Sequence, residues 1–129
     1  MKVKLIGITV QDQDKALRFY TEVLGFVKKL DMPAGPYRWI TVVSPEAPHE
    51  IEVALEPDAN PAARAYQEAM HQQGIPLLTL TVDDLQKEFE RLTKLGVVFT
   101  VPPTKTDWGA SATLDDTCGN LVWLMQVAS

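Results

Sequence analysis

A pattern of strand, helix and glycine stop occurs twice in this chain, and this internal repeat constrains the fold more than any other feature. The first copy runs from Leu5 to Phe26 with the sequence LIGITVQDQDKALRFYTEVLGF. The second runs from Leu77 to Val101 with the sequence LLTLTVDDLQKEFERLTKLGVVFTV. Two positions align at one offset, Val10 with Val82 and Asp12 with Asp84. The chain is therefore expected to be a duplicated unit.

Each copy carries local signals for the same elements. An apolar, β-branched run predicts a largely buried strand. Asp12 or Asp14 can then accept the free N–H groups at the start of a helix, near residues 12–24 in the first copy. Apolar residues recur at steps of three and four along that helix, which predicts one buried face. Gly25 and Gly96 supply the left-handed residue that ends each helix.

Three further strand candidates follow each helix, so each copy reads as βαβββ. In the first copy they span residues 26–31, 37–43 and 51–55, with a turn expected at Pro33, Gly35 and Pro36. In the second copy, a strand at 97–101 follows a helix near 84–95, and the segments WGASATLDD and NLVWLMQV complete the set. Asn60-Pro61 begins an additional helix near 61–73.

The predicted fold class is α+β, with two tandem βαβββ modules in a single domain. Module one covers about residues 1–56, a linker helix lies within about 57–76, and module two covers about 77–129. Because strands that are apolar on both faces need cover on both, we expect the two sheets to surround a shared concavity, with the helices outside. A concavity lined by side chains is a natural ligand site.

Composition excludes several classes of protein. Of 129 residues, 46% are hydrophobic and 22% are charged, which is typical of a soluble globular domain. The formal net charge of −5 argues against nucleic acid and anionic membranes as partners. No apolar run approaches the roughly 20 residues that span a bilayer. The chain begins directly with a strand pattern and its single cysteine, Cys118, allows no internal disulfide, so we expect a cytoplasmic protein.

The repeat also carries a recognisable motif. The first module reads V-x-D-x-x-K-A-x-x-F-Y-x-x-x-L-G-F from Val10 to Phe26, and the second has V-D-D-L, L-G-V and D-D-T-C-G-N. This pattern resembles the glyoxalase, bleomycin-resistance and extradiol-dioxygenase superfamily, also called the vicinal oxygen chelate superfamily. The resemblance covers nearly the whole chain, but it identifies a scaffold, and a scaffold alone does not determine the chemistry.

The resemblance also implies where a metal would be held. In the metal-dependent members, four strands each contribute one histidine or glutamate. The motif spacing carries those positions onto Leu5, Glu52, Leu77 and Trp123 of this chain. Leucine and tryptophan offer no lone pair to a divalent ion, so glyoxalase isomerisation and iron-dependent ring cleavage are disfavoured. The site therefore looks more like that of the metal-free members, which sequester ligands. We expect no metal and no cofactor, and the resemblance implies a homodimer.

Three tryptophans, Trp39, Trp108 and Trp123, fall on predicted strands. A tryptophan buries a large area and can stack on a planar or cationic ligand. The alternative is ordinary core filling, which is equally plausible for Trp39. Trp123 occupies a former ligand position and is expected to form part of a pocket wall.

Carboxylates and hydroxyls supply the remaining candidates. Glu50, Glu52 and Glu56 are predicted on one strand face, where they could hold a cation or provide a general base. The alternative for Glu50 and Glu56 is an edge strand with a solvated outer face. Thr9 and Thr79 share strand faces with Leu5 and Leu77 and could contact a ligand, although threonine is common in strands.

Three function classes remain open. The first is a protein that binds a small organic molecule in a tryptophan-lined cup without a metal. The second is a lyase or other vicinal-oxygen-chelate enzyme that uses Glu52, with or without a divalent metal. The third is a partner-binding protein whose scaffold serves assembly. The apolar residues at Leu5 and Leu77, with Trp123, favour the first class.

Overall fold

The described part of the chain, residues 1–128 of this computed structural model, divides inside a helix. Unit 1 comprises residues 1–66, and unit 2 begins at Gln67. The helix that contains this boundary is α2, Pro61–Gln72, which is the additional helix that the sequence predicts between the modules.

Unit 1 has the order βαβββ. Strand β1 is followed by helix α1, which continues into a π-helical turn, and then by three strands. The bounds are β1 Leu5–Val10, α1 Gln13–Arg18, π-helical turn Phe19–Val23, β2 Val27–Ala34, β3 Tyr37–Val43 and β4 Glu52–Pro57. The strands form one sheet in the order β1-β4-β3-β2, in which β1 and β4 are parallel and the other neighbours are antiparallel.

Unit 2 repeats this arrangement. Its elements are β5 Leu78–Thr81, α3 Leu85–Lys94, β6 Phe99–Thr106, β7 Gly109–Asp115 and β8 Leu121–Val127. The sheet order is β5-β8-β7-β6, again with one parallel and two antiparallel pairs. The predicted α+β class with two βαβββ modules is confirmed.

The helix caps also agree with the sequence signals. The side chain of Asp12 accepts a hydrogen bond from the backbone N–H of Lys15 at 3.0 Å. The side chain of Asp84 accepts one from the N–H of Lys87 at 3.1 Å. Each aspartate satisfies an amide that the first helical turn leaves without a partner. The same local chemistry therefore begins a helix in both units.

Each sheet has a helix face and an opposite face, which we call the open face. In unit 1 the helix face is apolar and buried, with Ile8, Val10, Ile40, Val42, Val53 and Leu55. In unit 2 the ring of Phe89 on α3 lies 4.8 Å from that of Phe99 on β6, measured between centroids, which fixes the helix side of that sheet. Leu78, Leu114, Val122 and Leu124 are buried on the same side.

Several sequence expectations about the strands are wrong. The second strand extends to Ala34, so Pro33 lies in a strand and not in the predicted turn. Strand β4 lies between β1 and β3, so it is not an edge strand. Ile51, expected at the start of the strand 51–55, is 47% exposed and precedes the strand, as does Glu50. Trp108 lies in the turn before β7.

The cause of these errors is tertiary pairing. Hydrogen bonding to β3 extends β2 through a segment whose proline and glycine suggest an early turn. Parallel pairing with β1 buries both faces of β4, which its alternating pattern alone does not show. Within residues 1–128, no helix has the length and apolar character that crossing a membrane requires.

Candidate functional site

The open face of unit 2 carries an aromatic pair. The rings of Trp108 and Trp123 meet edge to face, with centroids 5.6 Å apart and planes at 82°. Trp123 is opposite Thr79 of β5 and Thr113 of β7, and its neighbours along β8, Val122 and Leu124, point to the helix face and are buried. This alternation directs Trp123 away from α3.

Leucine and threonine residues lie beside Trp123 on the open face. Leu77 immediately precedes β5, and its N–H donates to the carbonyl of Leu121 at 3.0 Å. Because Leu78 is buried on the helix face, Leu77 and Thr79 lie on the open face with Trp123. The structure therefore brings together the four candidates of unit 2, which are Leu77, Thr79, Trp108 and Trp123.

The backbone holds Trp108 at a fixed position although it lies in a turn. Its carbonyl accepts a hydrogen bond from the N–H of Ala128 at 2.9 Å. The next residue is Gly109, whose φ is 151°, and a Cβ atom there would lie 1.9 Å from the carbonyl oxygen of Gln126. Only glycine permits this approach between β7 and β8.

The open face of unit 1 has a different character. Leu5 pairs with Glu52 and Thr9 pairs with Glu56 in the parallel β1–β4 ladder, so all four share one face. Thr41 pairs with Ala54 on that face, and Trp39, two residues earlier on β3, lies on the same side. The five candidates of unit 1, Leu5, Thr9, Trp39, Glu52 and Glu56, are thus brought to a single sheet face.

Glu52 is the centre of a polar network on this face. Glu52 is buried, with 7% of its surface exposed to solvent. The hydroxyl of Thr41 donates to its Oε1 at 3.0 Å. The ammonium groups of Lys29 and Lys4 approach its Oε2 at 3.4 Å and 3.6 Å. Burial acts to raise the pKa of Glu52, but the Thr41 hydrogen bond and the two lysines together outweigh it and hold that pKa below the ordinary glutamate value.

The two lysines are residues that the sequence reasoning missed. Lys29 is the extra residue of a β-bulge, because Lys28 pairs with Val42 while Leu30 pairs with Thr41. Lys29 lies on the open face, while Lys28 lies on the helix face and pairs with Asp31 at 3.4 Å. Two consecutive lysines in a strand give no sequence signal for which of them faces Glu52.

Glu56 behaves differently from Glu52. Its residue is exposed, and it forms no hydrogen bond or ion pair with any other residue of the described 1–128 range. Its carboxylate lies above Gly7, where a Cβ atom would come within 2.6 Å of Oε1. The missing side chain at Gly7 therefore leaves the space that this carboxylate occupies.

Gln13 is a second residue that the sequence reasoning missed. Its amide nitrogen donates to the carbonyls of Arg38 at 2.7 Å and Leu55 at 2.9 Å, and its amide oxygen accepts from the N–H of Arg38 at 3.1 Å. The direct register between β3 and β4 covers only two residue pairs, so this side chain connects strands that are otherwise unpaired there. It anchors the start of α1 on the sheet.

The donor set at the positions that the resemblance assigns to a metal does not fit one. Leu5, Leu77 and Trp123 contribute no ligand atom, and Glu52 is bonded to Thr41 and two ammonium groups. Within residues 1–128, no group of three or more histidine, cysteine, aspartate or glutamate side chains is arranged to hold a metal ion.

Comparison with known families gives one match that covers nearly the whole chain. Residues 2–124 match the family model described as the Glyoxalase/Bleomycin resistance protein/Dioxygenase superfamily. The uncharacterized protein YurT of Bacillus subtilis (strain 168) is 50% identical over 126 residues, which are 98% of this chain and 99% of YurT.

Two solved structures are similar in both fold and sequence. UcmS2 superposes with a TM-score of 0.84 at 32% identity, covering 96% of each chain. TnmS3 from Streptomyces sp. CB03234, described as an antibiotic binding protein, superposes with a TM-score of 0.80 at 30% identity, covering 99% of this chain and 97% of TnmS3.

Proposed function

From the fact that this chain belongs to the Glyoxalase/Bleomycin resistance protein/Dioxygenase superfamily, we propose that it binds a small, planar organic molecule without using a metal. The observation that carries this proposal is the Trp108–Trp123 pair on the open face of unit 2. Edge-to-face geometry leaves a ring face for stacking, and the rigid backbone beneath Trp108 keeps that face in place.

The similar structures support a binding role. TnmS3 is described as an antibiotic binding protein, and its likeness to this chain covers almost the full length of both. Aromatic side chains with a few placed polar groups are the usual lining of small-molecule sites. On unit 2 the polar groups are threonine hydroxyls, which suit neutral carbonyl and hydroxyl groups of a ligand.

The alternative is a lyase or other enzyme that uses Glu52 as general base. An effective base has a pKa near the working pH, and enzymes raise the pKa of a glutamate to reach it. Here the pKa of Glu52 is lowered by Thr41 and the two lysines. The carboxylate is thus stabilised in its charged form and is a weak proton acceptor, so its environment supports the binding function over this enzyme.

The binding role predicts that Trp123→Ala weakens a planar aromatic ligand by ~1–3 kcal/mol, because a large stacking surface is removed. The measurement is calorimetric titration with a panel of planar polycyclic compounds. Tyr66→Ala is the matched control, since Tyr66 is a 58% exposed aromatic residue on α2. Equal affinities for wild type and Trp123→Ala across every binding compound would contradict the proposal.

A homodimer and a cytoplasmic location complete the proposal. Strand β2 is a sheet edge with large apolar side chains exposed, Val27 by 49% and Met32 by 47%. A long exposed edge of this kind is a ready surface for another copy of the chain. Light scattering at tens of micromolar should give the mass of two chains, and the mass of one chain would count against the dimer.

A further inference from the structure

The open face of unit 1 carries more positive charge than its buried carboxylate requires. Glu52 contributes one negative charge, and both Lys4 and Lys29 lie within 3.6 Å of the same oxygen, Oε2. One ammonium group is enough to balance one carboxylate. Two ammonium groups therefore converge on one carboxylate oxygen in a chain whose net charge is −5.

The hydrogen-bonding capacity of the two lysines is also incompletely used. An ammonium group has three N–H donors. Within residues 1–128, the polar partner of Lys29 is Glu52 at 3.4 Å, and Lys4 reaches Glu52 at 3.6 Å and the carbonyl of Glu50 at 3.5 Å. All three distances are long for hydrogen bonds of charged groups. Both side chains are accessible, with 54% of Lys4 and 36% of Lys29 exposed.

The β-bulge places an apolar residue beside Lys29 on the open face. Lys28 pairs with Val42 on the helix face and Lys29 follows on the open face, and the bulge then puts Leu30 opposite Thr41, so Lys29 and Leu30 both lie on the open face. Bulges are over-represented next to functional sites, where they turn a side chain towards a ligand. A bulge also interrupts the ladder, so it is a local loss that packing alone does not explain.

We infer that Lys4 and Lys29 form a binding site for an anionic oxygen, a carboxylate or phenolate, of an organic ligand on the open face of unit 1. In this site Glu52 holds the two ammonium groups near each other, and the ligand oxygen completes their hydrogen bonds. The inference rests on the proposed function, because it assigns an acidic group to the molecule that the chain binds.

Other groups on this face favour the same orientation. Leu5 and Leu30, each 38% exposed, offer apolar contact next to the lysines for the carbon skeleton of the ligand. Glu56 lies on the same face but forms no ion pair with either lysine, so its charge repels an anion from that end of β4. An acidic ligand is thereby directed to the Lys4 and Lys29 end.

The test compares 2-naphthoate with 2-naphthamide, which have the same shape and differ in charge. Binding is measured by calorimetry, and backbone amide shifts at Lys4, Lys29 and Thr41 are followed by ¹H–¹⁵N NMR. We expect naphthoate to bind about three- to tenfold more tightly than naphthamide, with the advantage decreasing as salt is added. Equal affinity of the two compounds, or shifts scattered over the chain, would overturn the site.

Three variants locate the effect. Lys29→Gln should remove most of the preference for naphthoate and leave naphthamide binding unchanged. Lys28→Gln is the matched control, because it removes the adjacent charge, which pairs with Asp31, and it should keep the preference. Lys4→Gln provides a second measurement at a residue outside the sheet if Lys29→Gln is poorly folded. If Lys28→Gln and Lys29→Gln lose the preference for naphthoate equally, the preference comes from the overall charge of the chain and not from this site, and the inference is contradicted.

Glu52→Gln gives the sharpest outcome. It keeps an oxygen for the Thr41 hydroxyl and removes the negative charge that competes with the ligand. Naphthoate should then bind more tightly to Glu52→Gln than to wild type, whereas weaker or unchanged binding would oppose the inference.

Failure of the proposed function is seen separately, as the absence of any effect of Trp123→Ala on the binding of neutral planar compounds. If neither naphthalene compound binds, the absence of amide shifts with benzoate at Lys4 and Lys29 overturns the anion site.

Discussion

Units 1 and 2 have the same strand order and the same aspartate caps, but their sheets are completed in different ways. In unit 2 the β7–β8 ladder is continuous over seven residue pairs, from Gly109 with Val127 to Asp115 with Leu121. In unit 1 the corresponding β3–β4 ladder has two direct pairs, and the side chain of Gln13 supplies hydrogen bonds beyond them.

The connections before the last strand differ as well. In unit 2 the buried carboxylate of Asp116 accepts from the N–H groups of Cys118 at 2.7 Å and Asn120 at 3.0 Å, and from the side-chain amide of Asn120 at 2.9 Å. The loop between β3 and β4 of unit 1 is mostly exposed, with the Ser44 hydroxyl accepting from Glu46. In unit 2 a buried carboxylate therefore holds the turn before the last strand, whereas in unit 1 a half-buried glutamine at the helix start joins the strands.

The largest effect is expected for Asp116→Ala, which should lower the free energy of unfolding by about 3–5 kcal/mol. Three donors lose their acceptor, and a buried donor without a partner is costly. Native-state hydrogen exchange should show the loss in residues 109–127, with residues 37–57 changed much less. Asp83→Ala, which removes an exposed carboxylate of unit 2, is the control. If residues 109–127 and 37–57 lose protection from exchange equally, the turn before the last strand does not stabilise unit 2 in particular.

A smaller effect is expected for Gln13→Ala, which should lower the free energy of unfolding by about 1–3 kcal/mol. The backbone groups of Arg38 and Leu55 lose their partner, so amide exchange should rise at Arg38 and leave β7 unchanged. Gln11→Ala, at an exposed glutamine before the helix, should have little effect. If Gln13→Ala leaves the free energy of unfolding unchanged, β3 and β4 pair directly in solution without this side chain.

The smallest effect concerns pH and the charged face of unit 1. Because the folded-state pKa of Glu52 is below the ordinary value of 4.5, the folded chain binds its proton less readily than the unfolded chain. The resulting stability is present above pH 4.5 and is lost as the pH falls through the lower folded value. Denaturant unfolding between pH 7 and pH 3 should show less acid destabilisation in Glu52→Gln than in wild type. Glu56→Gln is the control on the same strand, and an acid response of Glu52→Gln equal to wild type would contradict the network.

The elements that depend on nearby residues could be predicted from the sequence. A helix cap is decided within three residues, so Asp12, Asp84 and the repeated strand–helix pattern indicated the fold class and the helix positions. The family resemblance, and not a local pattern, assigned Leu5 and Glu52 to one ligand set, and the structure pairs them on neighbouring strands.

The elements that depend on distant residues could not be predicted. Lys29 reaches Glu52 across 23 residues, and this contact requires β2 and β4 to pair with opposite sides of β3. Gln13 bonds to residues 25 and 42 positions away, and a glutamine at a helix start gives no sign of such partners. Aromatic residues favour strands, so the sequence predicts a strand at Trp108, but Trp108 lies in the turn that joins β6 to β7.

The bulge at Lys29 makes the cation that β2 presents on the open face depend on the length of the strand. Deletion of Lys29 would leave Lys28 opposite Val42 and Leu30 opposite Thr41 in regular alternation, so the remaining residues of β2 would keep their partners. The ion pair of Lys28 with Asp31 would remain, and the ion pair with Glu52 would be lost. A homologue with a one-residue gap at this position would therefore lack the cation of β2 on the open face without any substitution. A position-by-position sequence comparison that treats this gap as neutral would miss the change.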